Sequence, residues 1–142
     1  MLSKRDVLGG IFGTTALAIA GPAFAKKDVV GKIFFKGVAP KSVKGSAVIV
    51  RNGDQLSLQL GSDFVSQNGP DLFIILHEPG VEKGVQKGKF VNLGKLESNR
   101  GTSNFNIGMP PTLLAKKYDS VVVWCKEFNV TFGIGKIVMI GE

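Results

Sequence analysis

The sequence predicts an all-β domain, an antiparallel sandwich or barrel of about eight short strands. Three observations carry that reading. After residue 25, short runs rich in Val, Ile and Phe alternate with Gly, Asn, Asp and Pro, which is the pattern of strands separated by turns. Helical periodicity is nearly absent over the same span. Asn52-Gly53 stands between Ser46–Arg51 and Asp54–Leu60, and Asn-Gly tolerates the positive φ angles of a tight hairpin turn.

Taken in order, Val29 to Phe35 predicts the first strand, and residues 46–60 predict the hairpin. In its second arm Leu56, Leu58 and Leu60 alternate with Gln55, Ser57 and Gln59, so one face is buried and the other wet. Gln67-Asn68-Gly69-Pro70-Asp71 is a turn signal. The Leu72–Leu76 run after it is apolar throughout and predicts a strand covered on both faces. His77-Glu78-Pro79-Gly80 ends that strand, and residues 81–89 read as a polar connection. Phe90–Leu93 and Phe105–Ile107 are short strands separated by polar turns. Pro110–Tyr118 is the candidate for a brief helix, because proline suits a first helical position. Val121–Cys125 follows as a strand. Phe128, Val130, Phe132 and Ile134 then alternate with Asn129, Thr131, Gly133 and Gly135, predicting a second half-buried strand or a continuation past a bulge. Ile137 to Ile140 closes the fold.

Residues 1–25, MLSKRDVLGGIFGTTALAIAGPAFA, stand apart. Lys4 and Arg5 make a basic start, Val7 to Ala20 is apolar, and Ala23-Phe24-Ala25 has the small-x-small form of a cleavage site. This order predicts a secretory signal cut after Ala25, leaving a single domain over 26–142 in the periplasm or outside the cell. Ser3-Lys4-Arg5 also hints at a twin-arginine signal, so the export route stays open. The apolar run falls short of the about 20 residues a membrane span needs, and no membrane segment is expected in the mature chain. The net charge is +7, but no basic run after residue 25 exceeds two residues, whereas a nucleic-acid binder concentrates its charge. A nucleic-acid partner is therefore not expected. A mildly cationic surface suits acidic partners or anionic surfaces.

Three segments stand out together. They are Asn68-Gly69-Pro70-Asp71-Leu72-Phe73-Ile74-Ile75-Leu76, then Val91-Asn92-Leu93-Gly94-Lys95-Leu96 with Gly101 shortly after, then Tyr118 to Gly133 around Val123-Trp124-Cys125-Lys126-Glu127-Phe128. In this order and spacing they resemble the DM-thirteen domain, often labelled an electron-transfer domain, over roughly residues 31–138. The resemblance implies an all-β module of exported or cell-surface proteins and a redox role for the family's cysteine, which by the match is Cys125. The motif positions that come with it are Gly69, Pro70, Asp71, Trp124, Phe128, Phe132 and Gly133. Many members carry a histidine shortly before the glycine corresponding to Gly45; residues 38–44 here have none.

Cys125 is the only cysteine and Trp124 the only tryptophan. A lone thiol cannot close an internal disulfide; if redox-active it would cycle through a sulfenic acid or a mixed disulfide with a partner. Strand parity puts Cys125 on one face with Val121, Val123, Glu127, Asn129 and Thr131. Trp124 then shares the core face with Phe128, Val130, Phe132 and Ile134. On that reading Cys125 sits at the rim of the core, unless a bulge near Lys126 reverses part of the assignment. The bland alternative is a small buried hydrophobe beside Trp124. A blue-copper centre needs two histidines, and the chain has only His77. Haem is the one cofactor with candidates, His77 with Met109 or Cys125, although a polar residue at a strand end is ordinary. No hydrolase constellation stands out. Two functions remain: a redox or electron-transfer accessory of the cell envelope, centred on Cys125 and serving a redox or envelope protein, and a non-enzymatic surface binding module. In the second, Cys125 and Trp124 are core and the loops around 78–89 and 94–104 meet the partner.

Overall fold

Alternation of apolar and polar side chains builds most of the architecture. In a computed structural model, which describes residues 28–140, the strands are β1 (Asp28–Gly37), β2 (Val43–Lys44), β3 (Ser46–Asn52), β4 (Gln55–Leu60), β5 (Val65–Ser66), β6 (Leu72–His77), β7 (Phe90–Lys95), β8 (Ser103–Ile107), β9 (Ser120–Cys125) and β10 (Val130–Met139). A 3₁₀ turn spans Val81–Lys83, and a helix, α1, spans Pro111–Lys117. The signal read over residues 1–25 lies outside the described residues. Among those described, no helix is long and apolar enough to cross a membrane.

Eight strands form one antiparallel sheet in the order β7-β6-β9-β10-β1-β3-β4-β8, and β2 pairs with β5 separately. The sheet curls into a nearly closed barrel. Edge strands β7 and β8 face each other across its seam, where a Cβ on Gly94 would stand 3.6 Å from the Phe105 ring. The hairpin at Asn52-Gly53 forms in the expected register, with Arg51 opposite Leu56 and Val50 opposite Ser57. Leu56, Leu58 and Leu60 point inward and are fully buried. With Ile33, Ile49, Ile74, Leu76, Val121 and Val123 they fill the barrel. Leu114 of α1 packs into the same core at the Ser120 end of β9.

The two closing strands, expected over 128–134 and 137–140, are one strand, β10. A bulge makes this compatible with the hydrophobic pattern. Val123 pairs with Gly133 and Trp124 with Thr131, so Phe132 is the extra residue. An inserted residue shifts side-chain parity by one. Phe132 therefore points into the barrel, while Ile134 beyond it faces out. A second bulge leaves Leu93 of β7 unmatched between Asn92 and Gly94, and the Asn92 Oδ1 accepts the Gly94 N–H at 2.9 Å.

Candidate functional site

Strand β9 is buried at all six positions. Its inward side chains, Val121, Val123 and Cys125, belong to the barrel core, and its outward ones, Val122 and Trp124, belong to a smaller cluster outside the sheet. The expected face for Cys125 relative to Val121 and Val123 is therefore found, but the expected rim is not. The inner face holds the main core, and Cys125 is 1% exposed. The reason is a turn. The chain does not continue as a strand past Cys125; residues 126–129 fold back as the β9–β10 turn, with the Asn129 N–H donating to the Lys126 carbonyl. Phe128, expected on the core side, sits on that turn and is 63% exposed. Phe132, expected beside Trp124, faces the barrel with Cys125 because of its bulge.

The first motif closes over the thiol. Cys125 Sγ–H donates to the Pro70 carbonyl at 3.0 Å, and the Lys126 N–H donates to the Asp71 carbonyl at 3.1 Å. Asp71 itself has φ 59, the left-handed region that bends the chain sharply over the strand end. Gly69 is needed because the Phe132 ring lies against it: a Cβ there would stand 2.6 Å from Phe132 Cζ. Gly133 meets Val43 in the same way, with 2.6 Å between a built Cβ and the Val43 Cβ. Gly69, Pro70, Asp71, Cys125, Phe132 and Gly133 thus come together from segments some 55 residues apart. The Lys126 ammonium points elsewhere, 5.5 Å from the centre of the Phe73 ring on the outer face. A shallow pocket lies beside the turn, lined by Asn68, Asp71, Lys95, Glu97 and Asn99 among others.

The other side of β9 is roofed by residues 78–90. Trp124, Ile75, Val122 and Val81 form its centre, with Phe73, Val85, Phe90 and Ile134 packed around them. The Trp124 Nε1–H donates to Asn129 Oδ1 at 3.0 Å, and the Trp124 and Phe90 rings are 5.2 Å apart. His77 fixes the roof. It is wholly buried, its Nδ1 lies 2.6 Å from the Glu78 carbonyl, and its Nε2 accepts the Gln86 N–H at 3.0 Å. An acceptor at Nε2 leaves the proton on Nδ1, which donates to the carbonyl. Both ring nitrogens are engaged, so His77 offers no lone pair to haem iron in this arrangement. Met109 packs against the barrel core, on the opposite side of the sheet from His77, and the two are not brought together. At the roof's edge, Lys136 sits 2.9 Å from Glu82 and 3.1 Å from Asp119. The hydrogen bond from Lys136 holds the Glu82 carboxyl below its ordinary range, and the bonds from Glu82 and Asp119 hold the Lys136 ammonium above its own.

The family described as electron transfer DM13 matches residues 35–137, a span that holds all three motif segments. The chain belongs to the DM13 family. Searches of curated proteins and of solved structures give no match. Within this DM13 domain, then, the motif residues build one contiguous feature, a buried thiol under a Gly-Pro-Asp turn. The polar connection expected over residues 81–89 is instead a roof over Trp124, and Asn129 holds the indole; neither role has a regular signature in the sequence. Val81, Val85 and Phe90 are spaced through otherwise polar residues, and their spacing fits no regular strand or helix.

Proposed function

We propose that this DM13 domain is an electron-transfer accessory of the cell envelope and that Cys125 is its redox group, exposed only when the Gly69–Asp71 turn lifts. Two things support the reading: the family match, and the fact that the motif turn rests directly on the sulfur. The leader-like residues 1–25 support export of a single-domain form. Lifting the turn breaks two hydrogen bonds, from Sγ–H to Pro70 and from the Lys126 N–H to Asp71. The thiol then loses its proton to water, and the thiolate attacks one sulfur of a partner disulfide. A Cys125–partner S–S bond forms and the partner's own S–S bond breaks. The departing sulfur keeps the bonding pair and takes up a proton, so Cys125 is oxidised as that sulfur is reduced. The thiolate of a separate small thiol then attacks the Cys125 sulfur: a disulfide between Cys125 and the small thiol forms, and the Cys125–partner bond breaks. The partner's second sulfur leaves with the bonding pair and takes up a proton, so the partner departs as a dithiol.

A second reading is favoured by one observation. At 1% exposure and bonded to a neutral carbonyl, Cys125 has the surroundings of a core residue, and the domain would then be a binding module of the cell surface. Reaction with a small aromatic disulfide separates the two. The redox reading expects slow reaction of the native protein at a rate well above global unfolding. It also expects acceleration of about tenfold in Pro70→Gly, which loosens the turn. Reaction at the global unfolding rate in both proteins leaves only the binding module.

A further inference from the structure

Strands β10 and β1 lie in the middle of the sheet, and their outward side chains alternate between apolar and cationic across the ladder. Ile134 pairs with Lys36, Lys136 with Phe34, and Val138 with Lys32. Phe34 is 69% exposed and Val138 57%, with Ile140 exposed beside them. A shallow groove of about 400 Å³ runs along this face, floored by Phe34, Ile134 and Val138 and edged by Lys36, Lys136 and Glu82. A contiguous exposed apolar patch rimmed by charged residues marks an interaction surface.

We propose that this face seats the domain on an anionic phospholipid bilayer. The backbone of both strands is already paired on both sides, β10 by β9 and β1, and β1 by β10 and β3. A peptide therefore cannot add as a further strand, and only side chains are on offer. On this face the cations Lys32, Lys36 and Lys136 outnumber the acid Glu82, so a second copy of the same face would meet an excess of like charge. A bilayer interface meets both halves of the pattern. Phenylalanine, valine and isoleucine enter the boundary of the acyl region, while lysine stems let their ammonium groups stay at the phosphates. Anionic headgroups also complement a chain of net charge +7. Lys136 is engaged by Glu82 and Asp119, so Lys32 and Lys36 carry this complementarity. The outward positions on β4 and β8, Ser57, Gln59, Asn104 and Asn106, are polar, which confines the seat to one side of the barrel.

The test is co-sedimentation of the full chain, in the form its producing cell accumulates, with vesicles of phosphatidylcholine alone or mixed with phosphatidylglycerol. Phe34→Ser and the double variant Lys32→Glu/Lys36→Glu are run beside it. Any contribution of residues 1–25 is common to all three, so differences between them read the face alone. The expected result is binding to the mixed vesicles only, weakened by salt, by about 30-fold in the double variant and by about tenfold in Phe34→Ser. The near-ultraviolet signal of Trp124 stays unchanged as the control for folding. Equal binding to both vesicle types, no binding by the wild type, or variants that bind as the wild type does would overturn the proposal. So would a wild-type dimer lost in Phe34→Ser, which assigns the face to a second copy, or binding to soluble polyglutamate in place of vesicles, which assigns it to an acidic protein.

Discussion

Strand β9 separates two apolar clusters that are held by different means. The inner one is a barrel core, closed by volume: its side chains meet across the whole sheet and are buried by one another. The outer one is thin, and it stays covered because a loop is tied down by hydrogen bonds to His77 and by the ion pairs of Lys136. The unique cysteine faces the first and the unique tryptophan the second. The contrast teaches that burial fractions alone do not rank the two sites. Trp124 lies under a loop held by a hydrogen bond and ion pairs, whereas Cys125 lies in the barrel wall under a short motif turn bonded to its sulfur.

Adjacent residues on β6 give the sharpest test. Ile74 and Ile75 are both fully buried, one inside the barrel and one under the roof. Ile74→Ala is expected to lower unfolding free energy by about 4 kcal/mol, because closed barrel walls cannot collapse onto the cavity, and Ile75→Ala by about 2 kcal/mol, because a loop can. Equal losses in urea unfolding would break the comparison. His77→Leu leaves the half-buried Gln86 N–H without its acceptor and should cost about 2 kcal/mol. Trp124 emission should shift to the red while the reaction rate of Cys125 stays put; a parallel rise in thiol reactivity would show that the two sides open together. Trp124→Phe removes the bond to Asn129 and should cost about 1 kcal/mol beyond the change in packing, read against Asn129→Ala in a double-mutant cycle.

The smallest effect is a pH dependence at the roof's edge. A carboxyl held below its ordinary value of 4.5 contributes stability at higher pH and loses it as pH falls through the lowered value. An ammonium held above 10.5 contributes at lower pH and loses it as pH rises through the raised value. Wild type and Glu82→Gln should therefore differ slightly in Tm across the neutral range and converge as pH falls through the lowered carboxyl value. They should also converge in strong salt, since the pair is exposed.

The strands were legible because alternation survives in them: Leu56, Leu58 and Leu60 announce their face without help, and Asn52-Gly53 announces its turn. The position of Cys125 relative to Val121 and Val123 was legible for the same reason. What misled was the assumption that Trp124 marks the core side. β9 is apolar at every position, so parity could not say which face held the larger core. Nor could it locate the bulge at Phe132, which places Phe132 and Ile134 on opposite sides although they are two residues apart. The contact between Pro70 and Cys125 spans 55 residues and has no local signature. Only the co-occurrence of the two motifs hinted that they meet.

The unmatched residue in β7 has a consequence for life at high concentration. A straight terminal strand with bare amides is a template on which neighbouring molecules stack into fibrils. Here the Gly94 N–H is already taken by Asn92, the chain is kinked at Leu93, and Lys95 adds a charge at the end. The opposite margin, β8, lies across the narrow seam from it. A domain crowded by its own copies is thereby spared from polymerising along its border.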